Sequence, residues 1–260
     1  MGGDPAIVLV APRVPGNLGS TARAAKNFGV ADVRLVEPAC EPDEEALRLA
    51  SGADDLLGSM QRFPTLVDAL ADFDAVIATS SLRGRTERRW LTLGELPDYL
   101  AALGPAARVA YVFGRERSGL TEEERSRASA TLTLPTSPSF PTMNLSHALV
   151  AVLAVHRAFV GFGVGFGDRP RFSPALSPGL EPLENRGLSP EELAPSRELE
   201  AAVEHWDRAL DAIGFYDTGH RGRSLRDWRR IVAGRPLSMR EVAILRGVAN
   251  RVLVSLRRSK

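Results

Sequence analysis

Two stretches, Ala6–Ala11 (AIVLVA) and Ala75–Thr79 (AVIAT), are almost unbroken apolar runs of strand length. A strand with one wet face alternates polar and apolar residues, so unbroken runs predict strands covered on both faces, the usual state of a parallel sheet. Further β-type runs lie at Val33–Val36, Val109–Phe113 and Thr131–Leu134. Helical patterns separate them at Asn17–Phe28, Thr65–Ala71, Leu93–Leu103 and Thr121–Ala128, and a longer one runs from Asn144 to Phe159. Thr121-Glu-Glu-Glu124 has the form of a capping box, which places a helix start directly after a glycine-containing loop. Strands alternating with helices predict an α/β domain over residues 1–160, a parallel sheet flanked by helices.

Beyond it the composition changes. Gly161–Pro195 holds six prolines and six glycines with little periodicity, the mark of a linker. Its G-x-G-x-G-x-G run follows a helix instead of a strand, so it is no dinucleotide loop. Arg197–Ile213 and Met239–Leu256 are helical again, with Gly214 placed to stop the first, so 196–260 reads as a small all-helical module. The formal net charge of +1 conceals an asymmetry. Residues 218–260 hold eleven arginines and one lysine against two carboxylates, a net +10, and the rest of the chain carries −9. A basic arm on an acidic body points to a polyanionic partner. Arg221, Arg223, Arg226, Arg229 and Arg230 cluster around Trp228, a composition suited to phosphate contacts with one stacking ring; the alternative is a solvated helix face.

The single cysteine, Cys40, excludes a disulfide framework, and the four histidines show no zinc-site spacing, so no metal is expected. No apolar run approaches the ~20 residues that span a bilayer, and the N-terminus has no secretory pattern. The expected address is the cytoplasm, away from membranes.

Three segments carry candidate chemistry. Pro15–Gly29 forms a helix after the first strand, with Leu18, Ala22, Ala25 and Phe28 on one face and Asn17, Ser20, Arg23 and Asn27 near the other. Gly19 and Ala22 permit close backbone approach. Tyr111–Thr121 runs from a strand through a loop with glycines at 114 and 119, where α/β sheets place ligands. Leu134–Ala148 is a proline-stiffened polar loop feeding the Asn144 helix, where Asn144 can serve as N-cap. Ser146-His147 is no hydrolase pair, because adjacent helical residues point about 100° apart and no G-x-S-x-G elbow exists.

Asn-Leu-Gly-Ser-x-Ala-Arg at 17–23, Phe-Gly-Arg-Glu-Arg-Ser-Gly-Leu at 113–120 and Met-Asn-Leu-Ser at 143–146 resemble, in order, the three motifs of the SPOUT ribose 2′-O-methyltransferases. Residues 32–57 and, more weakly, 197–256 are similar to the TrmJ-type tRNA enzymes of that superfamily. The resemblance implies a trefoil knot in the second half of the catalytic domain and a homodimer. It implies S-adenosylmethionine held by Thr79, Ser80, Ser81, Gly114, Glu116, Leu134, Met143, Asn144 and Leu145. It implies Arg23 as the catalytic arginine, completing the partner's pocket, with Asn17 beside it. Ser146, Arg85 and Arg117 would hold the target nucleotide. The implied target is pyrimidine 32 of the tRNA anticodon loop; rRNA, another tRNA position, and a non-catalytic RNA-binding relative are the alternatives. In the 137–142 loop the chain departs from the pattern, with Phe140 where bacterial relatives often carry Tyr.

Overall fold

The computed structural model describes residues 4–81, 90–137, 139–160, 193–216, 225, 228–229 and 236–258. Seven strands form one sheet: β1 (Ala6–Val10), β2 (Val33–Val36), β3 (Gln61–Phe63), β4 (Ala75–Thr79), β5 (Trp90–Thr92), β6 (Val109–Phe113) and β7 (Ala130–Thr133). Their order is β3-β2-β1-β6-β4-β7-β5, and every pairing is parallel. Both faces are covered, which is why the runs are apolar throughout. Ile7 and Leu9 of β1, with Tyr111 and Phe113 of β6, face one core. Ala6, Val8 and Val10, with Ala110 and Val112, face the other.

The first core is closed by α1 (Pro15–Asn27), α2 (Glu44–Ala50), α3 (Asp54–Ser59), α5 (Leu96–Leu103) and α7 (Leu145–Val160), the second by α4 (Leu66–Leu70). Helix α6 (Glu122–Ser126) opens on the expected capping box, with both reciprocal bonds between Thr121 and Glu124 present. Gly19 has a steric purpose: a Cβ there would stand 2.0 Å from the Ala46 carbonyl oxygen, so α1 lies directly on α2. The sequence expected five strands. The extra two, β3 and β5, are three-residue strands at the sheet's edges, too short to show a period.

Arg34 of β2 points into the second core at 6% exposure. It is tolerated because it bonds Asp32 and Asp72 and lies over the rings of Phe63 and Phe73. Burial alone would weaken its basicity; the two carboxylates more than reverse that.

The C-terminal module docks on the same side. Helix α8 (Ser196–Ala212) begins where the Ser196 and Arg197 amides bond the carbonyls of Phe73 and Ala71. Helix α9 (Met239–Arg258) is capped by Ser238 with Glu241 and packs on α8 around Ala202, Val203 and Val242. Glu200 of α8 takes Arg127 of the body on one side (2.9 Å) and Arg229 on the other (3.3 Å). Trp228 stacks on Trp206 with ring centroids 5.0 Å apart. The basic cluster therefore does not face outward as a unit: Arg229 and Trp228 are turned into the module. Arg85, Arg223, Arg226 and Arg230, and nearly all of the 161–195 linker, lie outside the described residues. Among the described residues no helix is long and apolar enough to cross a membrane.

In the first core the Tyr111 hydroxyl shares a 2.8 Å hydrogen bond with Nδ1 of His156 on α7. Burial, with neighbouring Arg157 adding repulsion, pushes His156 down to about 4. Between pH 6.5 and about 4 the unfolded chain thus binds a proton that the folded chain refuses. Stability should fall as pH drops through that window, by up to about 3 kcal/mol. Denaturant melts across that range should show a clearly shallower pH slope for His156→Gln than for the native chain.

Candidate functional site

The carboxyl ends of β4, β6 and β7 open into a cavity of about 270 Å³. Its floor is Thr79, Ser80 and Ser81 after β4, the 113–120 segment after β6, and Leu134 and Thr136 after β7. Pro141, Thr142, Met143 and Leu145 close it from the loop and first turn of α7. This is the crevice where open α/β sheets bind ligands, because only there do loops meet across strands of different connectivity.

The 114–120 loop owes its shape to two glycines. Arg115 and Gly119 bond each other's backbones as an antiparallel bridge, and Gly119 adopts φ +64°. A Cβ at Gly114 would stand 2.3 Å from the Gly119 carbonyl carbon and the Leu120 nitrogen. Arg115, which lines the cavity, is tied by an ion pair to Glu124 of the α6 cap (3.0 Å). Arg117, at the loop's exposed crest, has no ion-pair or hydrogen-bond partner among the described residues.

Glu116 binds in the opposite direction from its neighbours. Its Oε1 accepts from the Arg13 and Val14 amides (3.2 Å each) and from the Asn17 side-chain amide (2.9 Å). Helix α1 has no side-chain cap of its own, and Glu116 supplies the missing acceptor at its positive end. Burial pushes the Glu116 carboxyl up, but the Asn17 amide and the backbone donors outweigh it and hold it below the ordinary range.

Seven of the residues expected to hold a cofactor thus line the cavity with Glu116 among them as an eighth: Thr79, Ser80, Ser81, Gly114, Leu134, Met143 and Leu145. Asn144 does not line it. Its side chain accepts from the Ser146 amide (2.9 Å) and hydroxyl (2.7 Å), so Asn144 caps α7 and Ser146 is engaged in that cap. Asn17 is buried and committed to Glu116. Arg23 stands exposed on α1, away from its own chain's cavity lining, without a partner among the described residues. Sequence reasoning passed over Phe113, Ser118, Thr136 and Arg125 as lining. The first three sit inside the segments already singled out; Arg125 comes from α6, and no pattern marks it. Among the described residues no group of three or more His, Cys, Asp or Glu could hold a metal.

The family model described as "SpoU rRNA Methylase family" matches residues 4–154, more than half of the chain. This chain belongs to the SpoU methylase family. A second model, the C-terminal domain of the tRNA methyltransferase TrmJ, matches 197–260. The tRNA (cytidine/uridine-2′-O-)-methyltransferase TrmJ of Yersinia pestis (strain Pestoides F) is 33% identical over 242 residues, 93% of this chain and 88% of that protein. The tRNA (cytidine/uridine/adenosine-2′-O-)-methyltransferase TrmJ of Pseudomonas aeruginosa (strain UCBPP-PA14) is 33% identical, covering 93% and 91%. The crystal structure of TrmJ from Z. mobilis ZM4 superposes with a TM-score of 0.77 at 28% identity over 96% of this chain and 99% of that one. The chain is an RNA methyltransferase of the TrmJ type within its family.

Because Glu116 satisfies three donors at once, Glu116→Ala should strand them and cost about 1–3 kcal/mol of stability, with methyl transfer falling further than stability. Glu116→Gln keeps an acceptor and should lose less of both. Urea titration beside a methylation assay separates the two effects.

Proposed function

We propose that this enzyme methylates a ribose 2′-hydroxyl of tRNA, using S-adenosylmethionine, at pyrimidine 32 of the anticodon loop. The observation that carries the reading is the cavity at the ends of β4, β6 and β7 in a chain whose two parts match the SpoU and TrmJ C-terminal models. The cavity's materials suit the cofactor. Leu134, Met143 and Leu145 offer apolar walls for a purine, while Thr79, Ser80 and the glycine-shaped 114–120 backbone offer polar edges for a ribose and amino acid. When bound, the cofactor supplies an electrophilic methyl group on a sulfonium.

The protein's part is positioning. A 2′-oxygen must be held in line with the transferred carbon, and such placement supplies much of a rate. Arginine is a poor base, since its guanidinium keeps its proton throughout the working pH range. Arg23 therefore orients the hydroxyl and stabilises the charge that grows on its oxygen. Its exposed position on α1, outside the lining of its own cavity, supports a homodimer in which it serves the partner's cavity. The trefoil knot belongs to this reading. In its support, β6 and β7 insert between strands already laid down. The RNA reaches the cavity along the basic C-terminal module, in the cytoplasm.

Incubating the purified enzyme with total tRNA and mapping the new methyl by mass spectrometry tests target and chemistry together. No methylated tRNA, or a methyl at another tRNA position, would overturn the assignment of position 32. Arg23→Ala should abolish transfer and leave S-adenosylmethionine affinity within a few-fold. Mixing Arg23→Ala subunits with Gly114→Val subunits should restore about a quarter of native activity, since a two-fold dimer places one intact site in each heterodimer. Zero activity with heterodimers demonstrably present rejects the shared site.

A further inference from the structure

Phe140 is exposed at 75%, the highest value among the large apolar side chains of the described residues. An isolated exposed ring is common on protein surfaces; this one is mounted with unusual care. Its amide bonds the Ser137 carbonyl (3.0 Å), and Ser137 Oγ meets Ser139 Oγ (2.8 Å) and accepts from the Ser139 amide (3.3 Å). Thr136 Oγ1 ties the base of the turn to the Pro141 carbonyl (3.0 Å). Thr136 and Pro141, the two ends of that tie, both line the cavity. The turn therefore holds the Phe140 backbone beside the cavity's lining and leaves its ring in solvent.

The chemistry around the ring selects its occupant. From Leu134 to His147 there is no acidic residue, so nothing in the loop repels a phosphodiester. Arg117, also exposed, belongs to the 114–120 loop that lines the same cavity as Thr136 and Pro141. Hydroxyl-bearing residues at 136, 137, 139 and 142 surround Phe140 in the chain, whereas the core of a protein–protein interface needs contiguous apolar area. An apolar face with polar edges describes a nucleobase. We propose that Phe140 is a positioning residue that stacks on the target nucleobase, or on the base beside it, and so presents the ribose to the cavity. Stacking of this kind tolerates every base, because each has a π-face. The inference rests on the RNA methyl-transfer reading and adds to it the group that grips the base.

The test compares Phe140→Ala, Phe140→Leu, Phe140→Tyr and Phe140→Trp in the full-length chain with total tRNA as substrate. Alanine and leucine should each lower kcat/KM for tRNA by roughly 5- to 150-fold, the worth of one base–aromatic stack. Tyrosine and tryptophan should stay within about threefold of native, since both keep a stacking face. S-adenosylmethionine affinity and the sedimentation of the protein should not move in any variant. The new indole of Phe140→Trp should be quenched by tRNA beyond the quenching of the native tryptophans. Full activity in the leucine variant would overturn the proposal, because a merely greasy contact suffices there. A change in subunit association, or loss of cofactor affinity in the alanine variant, would overturn it in favour of a structural role. Failure of the native chain to methylate any tRNA would instead sink the underlying reading, and the two failures are distinguishable because the native chain is assayed alongside.

Discussion

The Glu116 carboxylate joins parts of the chain 99 residues apart, and the architecture of the site hangs on that bond. Helix α1 begins with a proline after a residue that cannot cap it, so its first amides need an acceptor from elsewhere. The loop after β6 supplies it. Because the same loop forms the floor of the cavity, the position of α1, and of Arg23 two turns along it, is set by the cavity's own wall. Gly19 then lets α1 lie against α2, and Gly114 lets the loop fold back on itself. Two motifs about a hundred residues apart in the sequence become one mechanical unit by these contacts.

Much of this was legible beforehand. The doubly covered strands β1 and β4 announced themselves as almost unbroken apolar runs, and the Thr121–Glu124 cap as a local pattern. Features that act over long distances were not legible. Helices α2 and α3, of seven and six residues, are too short for a periodic signal and exist because α1 packs on them. Arg34 looks like a surface residue until two carboxylates are found beside it.

At the site, the segments were found and the duties inside them less well separated. Asn17 and Glu116 share a hydrogen bond that no motif spacing displays, and Asn144 with Ser146 forms a helix cap in the midst of a motif. In the basic module, charge density alone gave no direction. Arg229 meets Glu200 at 12% exposure, and Trp228 lies on Trp206, because a small helical module needs its aromatics for its own core.

The ion pairs of Glu200 reach beyond the molecule to its descent. Arg127 and Glu200 sit at 14% and 18% exposure, one on the catalytic body and one on the appended module, so losing either leaves the other poorly solvated with only its longer pair, Glu123 at 3.5 Å for Arg127 and Arg229 at 3.3 Å for Glu200. Grafting the module of one lineage onto the body of another is then no neutral recombination: the two positions must change together, or both give way to apolar residues. Positions 127 and 200 should consequently be inherited as a pair, and a lineage that discarded the module would be released from keeping arginine at 127.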